Sequence, residues 1–312
     1  TRFVFLIIAA LERIFNRCME HSLRIHKNFT FVSMARVFSS PAGSAIIAPI
    51  SARPKPAADL KVKEDEHEKQ VDWICPANAH GSIVGAIVEQ RFPTPYSLAF
   101  CLEDTVREDA VADAERMLRG TLSRIASAAE GGSFFLPPIF VRVRSPEQLL
   151  RLEYAPFSSI LRGFILPKFF LENCGAYLAA IRSIGRTEEY FYMPVFESAA
   201  MIPPQTRREA LTEVRAQLDT VSGSILNIRV GGNDLSHAFG LRRPANRTIY
   251  DLRPVADILI DIVAAFGTQY VVSGPVWEYY SGEGWEEGLR REMELDLLNG
   301  FTGKTVIHPN QI

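Results

Sequence analysis

Eight short runs of apolar, β-branched or aromatic residues recur from residue 71 onward, and their spacing constrains the fold more than any other feature. They occupy 71–75, 97–102, 139–143, 163–166, 190–196, 225–230, 269–272 and 305–307. Runs that are apolar in both alternations suit strands covered on both faces, as in parallel sheets. Between them lie stretches of helical spacing and mixed charge: 106–127, with Asp104 or Thr105 as its cap, then 207–220, 255–266 and 286–299. Strand starts fall roughly 33 residues apart, about one βα unit. Eight such units predict an α/β protein of the (β/α)8 TIM-barrel class rather than an open doubly wound sheet. No G-x-G-x-x-G follows an early strand, and Gly231-Gly232 runs into Asn233-Asp234, so no phosphate loop forms. The last run leaves no room for a final helix, which predicts a barrel that is open or completed by another chain.

The 312 residues are 47% hydrophobic and 22% charged, a profile that fits a large core and excludes a disordered or fibrous chain. The net charge of −2 is unevenly spread. Residues 1–58 hold eight Lys/Arg against two Glu, so residues 59–312 hold 26 basic against 34 acidic. An acidic body argues against a nucleic-acid groove, which needs a basic stripe. The four cysteines form no C-x-x-C pair, so neither a disulfide scaffold nor a zinc knuckle is expected. The apolar run 3–11 is too short to span a bilayer, and no membrane partner is expected. From His21 to Ala58 there is no acidic residue, the composition of a disordered basic arm or a transit peptide. Residues 1–70 therefore read as a leader and linker, and 71–312 as the barrel. The cytoplasm is the expected compartment, or the mitochondrion if the leader is a true transit peptide.

In a TIM barrel the chemistry gathers at the carboxyl ends of the strands. There stand Glu103 and Asp104, Arg142 and Arg144, Lys168, Glu197, Asp234 and His308. Each has an ordinary structural role when taken alone. A Glu-Asp pair caps a helix, an Arg or Lys forms a rim ion pair, and an Asp after two glycines, or a His before a proline, sits in a turn. Lys168 would pair with Glu197 in that reading. Their coincidence at matching strand ends points instead to a site.

The same residues carry a resemblance. Cys101-Leu102-Glu103-Asp104-Thr105-Val106, Val141-Arg142-Val143, Leu166-Pro167-Lys168, Phe196-Glu197-Ser198, Gly231-Gly232-Asn233-Asp234-Leu235 and Gly303 through Ile312 resemble the HpcH/HpaI aldolase and citrate lyase β-subunit family. The segments Phe239 to Pro244 and Thr248 to Asp251 resemble its citrate-lyase-like branch. The resemblance covers about residues 71–312. It implies a phosphoenolpyruvate/pyruvate-type barrel and a Mg2+-dependent carbon–carbon lyase acting on a small oxo-acid or acyl-CoA thioester. It assigns Glu197 and Asp234 to the metal, Arg142 to substrate and catalysis, and the acidic pair Glu103 and Asp104 to catalysis.

The chemistry of the residues agrees. Two carboxylates are the minimal protein share of a Mg2+ site, and a guanidinium offers a fork for a carboxylate or oxyanion. Glu103 or Asp104 would move a proton or hold a metal-bound water, and Lys168 would add charge for substrate. The family's usual asparagine after Arg142-Val143 is Arg144 here. That predicts a further substrate-binding cation at the mouth and a more anionic, even phosphorylated, ligand. Where relatives carry an arginine soon after the first strand, the nearest basic residue is His80. An incomplete barrel would favour a homo-oligomer. Two other readings share the site: a Mg2+-dependent acyl-thioester hydrolase, and a non-catalytic barrel subunit that binds a carboxylate or phosphorylated ligand.

Overall fold

The computed structural model describes residues 71–77, 83–92, 96–153, 159–184 and 190–311, all within the compact unit Lys69–Ile312. The expected leader and His80 lie outside the described residues. Eight strands follow in order: β1 (Val71–Pro76), β2 (Tyr96–Cys101), β3 (Ile139–Arg142), β4 (Leu161–Leu166), β5 (Phe191–Phe196), β6 (Ile228–Val230), β7 (Val272–Ser273) and β8 (Lys304–Val306). All neighbours are parallel, in the order β7-β6-β5-β4-β3-β2-β1-β8. A parallel bridge from Gly274 to Lys304 joins the two edges, and the Gly274 N–H donates to the Gly303 carbonyl at 3.1 Å. The strand ring therefore closes within this chain. That corrects the expectation of an open barrel, because two short last strands suffice to bridge the gap.

The helices are α1 (Ile83–Val88), α2 (Val111–Gly131), α3 (Pro146–Glu153), α4 (Cys174–Ser183), α5 (Pro204–Asp219), α6 (Gly232–Ala238), α7 (Arg253–Phe266) and α8 (Trp285–Leu298). Each of α1 to α5, α7 and α8 links two strands, and α6 is an extra short helix after β6. Within the described residues, β8 is followed by the 3-10 turn Pro309–Gln311. Packing explains the helix faces. In α7, Val255, Ile258, Leu259, Ile262 and Phe266 are buried at helical spacing, and Arg207, Leu211, Val214 and Leu218 do the same in α5. Among the described residues no helix is long and apolar enough to cross a membrane.

Two boundaries differ from the sequence reading. The helix expected from residue 106 begins at Val111, after a 3-10 turn Glu108–Ala110, and has no side-chain cap. Asp104 and Thr105 are therefore not its cap. The run 269–272 gives a strand only from Val272, because residues 267–270 close the end of α7: the Gly267 and Tyr270 N–H groups donate at 2.8 Å to the Val263 and Phe266 carbonyls.

Strand periodicity sorts the core into two layers. Leu98, Phe100, Val141, Phe164, Tyr192, Phe196, Ile228 and Val230 belong to the large cluster between sheet and helices. The alternate residues Ala99, Phe140, Ile165, Met193 and Val195 form a separate plug inside the barrel. β4 and β5 approach closely at Gly163, where a Cβ would collide with the Phe191 backbone.

Candidate active site

Continuing the inward alternation past the plug places the functional side chains. Ala99 and Cys101 lead to Glu103, Phe140 leads to Arg142, and Met193 and Val195 lead to Glu197. Each acidic or basic group thus emerges one step beyond an apolar floor, at the carboxyl end of its strand. β6 contributes Gly231 in the same alternation. A Cβ there would collide with the Glu197 carboxylate, so the absence of a side chain makes room for it.

Arg142 is the hub. Its Nη2 lies 2.6 Å from Glu103 Oε2, 3.0 Å from Asp104 Oδ2 and 3.3 Å from Glu197 Oε1. Its buried Nε meets no acceptor among the described residues. Lys168 Nζ adds contacts of 3.0 Å to Glu103 Oε1 and 3.4 Å to Asp104 Oδ1. The pairing of the Lys168 side chain is therefore with the acidic pair and not with Glu197. What reaches Glu197 is the Lys168 backbone N–H, which donates to Oε1 at 3.0 Å. Lys168 has φ of 50°, in the left-handed region that a non-glycine residue occupies at a cost of about 1–3 kcal/mol. Asn173 holds this bend, its Nδ2 donating to the Lys168 carbonyl at 2.9 Å.

These contacts set the electrostatics. Burial pushes the Glu197 carboxyl up to about 7, with Arg142 opposing and Asp234 adding to the rise. Burial also raises Glu103 against the pull of Arg142. Asp104 goes the other way: its partial burial is outweighed by the hydrogen bond with Glu103 and by Arg142 and Lys168. The adjacent carboxyls are thus driven apart, with the proton favouring Glu103. Arg142 is desolvated, yet Glu197 and Glu103 hold its proton more tightly than usual.

Of the eight rim residues, the structure brings Glu103, Asp104, Arg142, Lys168 and Glu197 into one contact network. Asp234, half-buried in the first turn of α6, joins them through its charge on Glu197. Arg144 stands apart: its Nη1 is bound to the main-chain carbonyls of Leu102, Glu103 and Val106. That placement departs from the expectation of a cation left free at the mouth. His308 is in a turn, as expected, stacked on Tyr280 at 4.3 Å with its Nδ1 accepting from the Asn310 N–H.

The residues fit a divalent cation. Four carboxylates face two cations, leaving two negative charges uncompensated when all are ionised. Among the described residues no three His, Cys, Asp or Glu side chains form a metal cage. A two-carboxylate oxygen set is what Mg2+ uses, since it keeps several waters. Sequence reasoning missed Gly231, Asn173 and the Lys168 N–H. Only the double glycine left a signal.

A model of carbon–carbon bond lyases of the TIM-barrel fold matches residues 74–312. The chain belongs to this C–C bond lyase family. The resemblance to the HpcH/HpaI aldolase and citrate lyase β-subunit group holds with it. Among solved structures, the CitE protein of Mycobacterium tuberculosis, in complex with magnesium and acetate, superposes with a TM-score of 0.51 at 19% identity, covering 78% of this chain and 87% of that one. Haloferax volcanii malate synthase, as a lead(II) complex, gives a TM-score of 0.58 at 13% identity over 80% of this chain and 72% of that one. At these identities the superpositions speak for the barrel alone. No curated protein matches the sequence significantly.

Proposed function

We propose that this C–C bond lyase is Mg2+-dependent and makes or breaks a carbon–carbon bond beside the carbonyl of a small oxo-acid or acyl-CoA thioester. The observation that carries the reading is the gathering of four carboxyl groups around Arg142 and Lys168 at one rim, with Glu197 seated at the Gly231 gap. Glu197 and Asp234 would hold the ion. When bound, Mg2+ supplies polarisation of the substrate carbonyl and stabilisation of the enolate. The magnesium and acetate in the CitE structure support the same choice of cation and ligand class.

The rest is done by the chain itself. Arg142, whose side chain keeps 14% of its surface open, would bind a substrate carboxylate through the exposed part of its guanidinium. Glu103, buried and raised, carries a proton at neutral pH more readily than Asp104 does, so it is the acid or base for the reacting carbon. Asp104 stays ionised and holds Lys168 over the pair. The apolar plug beneath keeps bulk water from the floor of the site.

Calorimetric titration of the full chain with oxaloacetate or pyruvate, with and without Mg2+, tests the reading, alongside Asp234→Ala. Binding should require both Mg2+ and Asp234. Turnover of Glu197→Ala with undiminished Mg2+ dependence would remove the assignment. A product assay that separates carbon–carbon cleavage from simple release of CoA distinguishes lyase from hydrolase.

A further inference from the structure

The carbonyls of Leu102, Glu103 and Val106 converge on one point, and Arg144 fills it. Its Nη1 donates to them at 3.1, 3.1 and 2.9 Å. All three residues are buried. The Glu103 carbonyl also accepts from the Val106 N–H at 2.9 Å, so it is the Leu102 and Val106 oxygens that depend on Arg144. A buried main-chain oxygen deprived of its donor gains no water in exchange. Arg144 is itself pinned. Its backbone N–H donates to Gln148 Oε1 at 2.7 Å, Gln148 Nε2 donates to Glu115 Oε1 at 2.7 Å, and Arg151 Nη2 reaches the same oxygen at 3.0 Å. Gln148 is buried. The end of β3, the β2–α2 turn, α2 and α3 are thereby tied into a single circuit.

That turn carries Glu103 and Asp104, the carboxylates that meet Arg142 and Lys168. The α2 helix begins without a side-chain cap, so the turn is anchored from β3 through Arg144 instead. A guanidinium suits the task because it is planar, always charged and directs several donors from one plane.

We propose that Arg144 is a positioning residue, an internal cation that fixes the β2–α2 turn so that Glu103 and Asp104 stand against Arg142 and Lys168, and that it makes no contact with substrate. The inference deepens the lyase reading and rests on it. It also removes the ground for a phosphorylated substrate, since the extra positive charge is spent on main-chain oxygens.

The test uses Arg144→Ala and Arg144→Lys in the full chain. Hydrogen exchange of the ligand-free protein should show amides over residues 102–106 exchanging about tenfold faster or more in R144A. R144K, whose ammonium also donates to carbonyls, should fall between R144A and the parent. In turnover, R144A should lose about 10- to 100-fold in kcat, the scale of a misplaced catalytic group, with KM within about threefold. Millimolar guanidinium should restore part of that loss. A raised KM with kcat preserved and unchanged exchange would show a substrate contact and overturn the proposal. Should R144A fail to fold, R144K decides: retained kcat and protection support the clamp, and raised KM with unaltered exchange overturns it. If the parent protein cleaves no carbon–carbon bond, the lyase reading fails, while the exchange data still decide whether Arg144 holds the turn.

Discussion

At the scale of single residues, the site is governed by what sits beside Glu197. Its carboxyl is raised from an ordinary 4.5 to about 7 by burial, against Arg142 and with Asp234. A raised folded-state pKa means that the group's contribution to stability is fully present below about 4.5 and is lost as pH rises through about 7. Mg2+ competes with that same proton. Binding at pH 6 should therefore release close to one proton, read as a buffer-dependent calorimetric enthalpy, and affinity should climb until about pH 7 and then level. Glu197→Gln should abolish both the proton release and the pH dependence. A buffer-independent enthalpy in the parent protein would remove Glu197 as the titrating ligand. Gly231 makes a second case. A methyl group there meets the Glu197 carboxylate, so Gly231→Ala should push that side chain aside and cost about 1–3 kcal/mol as overpacking does. Loss of Mg2+ affinity beyond the loss of stability, compared by titration and denaturant unfolding, checks it.

At the scale of elements, the ring of strands closes through a buried ion network on its outer side. Lys304 at the start of β8 places Nζ 2.9 Å from Glu292 Oε1, in line for a hydrogen bond, and 2.8 Å from Asp296 Oδ2, an ion pair off the hydrogen-bond line. Arg243 takes both Glu292 oxygens at 2.9 and 2.8 Å and lies over the Trp277 ring. Tyr250 Oη donates to Asp296 Oδ1 at 2.7 Å. Two acids and two bases balance, so β8 and α8 lock together without a net buried charge. Removing one partner strands another, and Lys304→Met should cost about 3–5 kcal/mol in denaturant unfolding, with KM unchanged because no active-site contact is lost. A cost under about 1 kcal/mol would mean that water replaces the missing cation. None of this network was legible in the sequence, where Glu292 and Asp296 look like the solvent face of a charged helix. The strands were legible because residues apolar in both alternations have few alternatives to a doubly covered sheet. The short helices α1, α3, α4 and α6 were not read, since six to ten residues carry too few turns to show a period. The site residues Glu103, Arg142 and Glu197 were legible for the same reason as the strands: each continues a period-two pattern one step past its apolar end. Arg144 was read as a mouth cation because sequence shows a charge but not which way the side chain turns.

At the scale of the whole molecule, the fold works as a rigid frame that holds like charges together. A sheet closed on itself gives every strand two neighbours, so the strand ends that carry Glu103, Arg142 and Glu197 move little relative to one another. Ring closure also removes the argument for self-association that an unfinished sheet would supply. What remains strained is electrostatic. Four carboxyl groups gathered around two cations, at the top of a body with 26 basic and 34 acidic residues over 59–312, repel one another as they ionise, and a bound cation would relieve that repulsion. Mg2+ should then stabilise the protein by linkage, about 2.7 kcal/mol at a hundredfold excess over Kd. The melting temperature should rise with Mg2+ in a saturable way at fixed ionic strength. Asp234→Asn should start from a higher metal-free melting temperature than the parent, since one repelling charge is gone, and should gain much less from Mg2+. That crossing of the two curves separates a specific ion from general screening. Screening would raise both proteins in parallel, and Na+ at matched ionic strength would do the same.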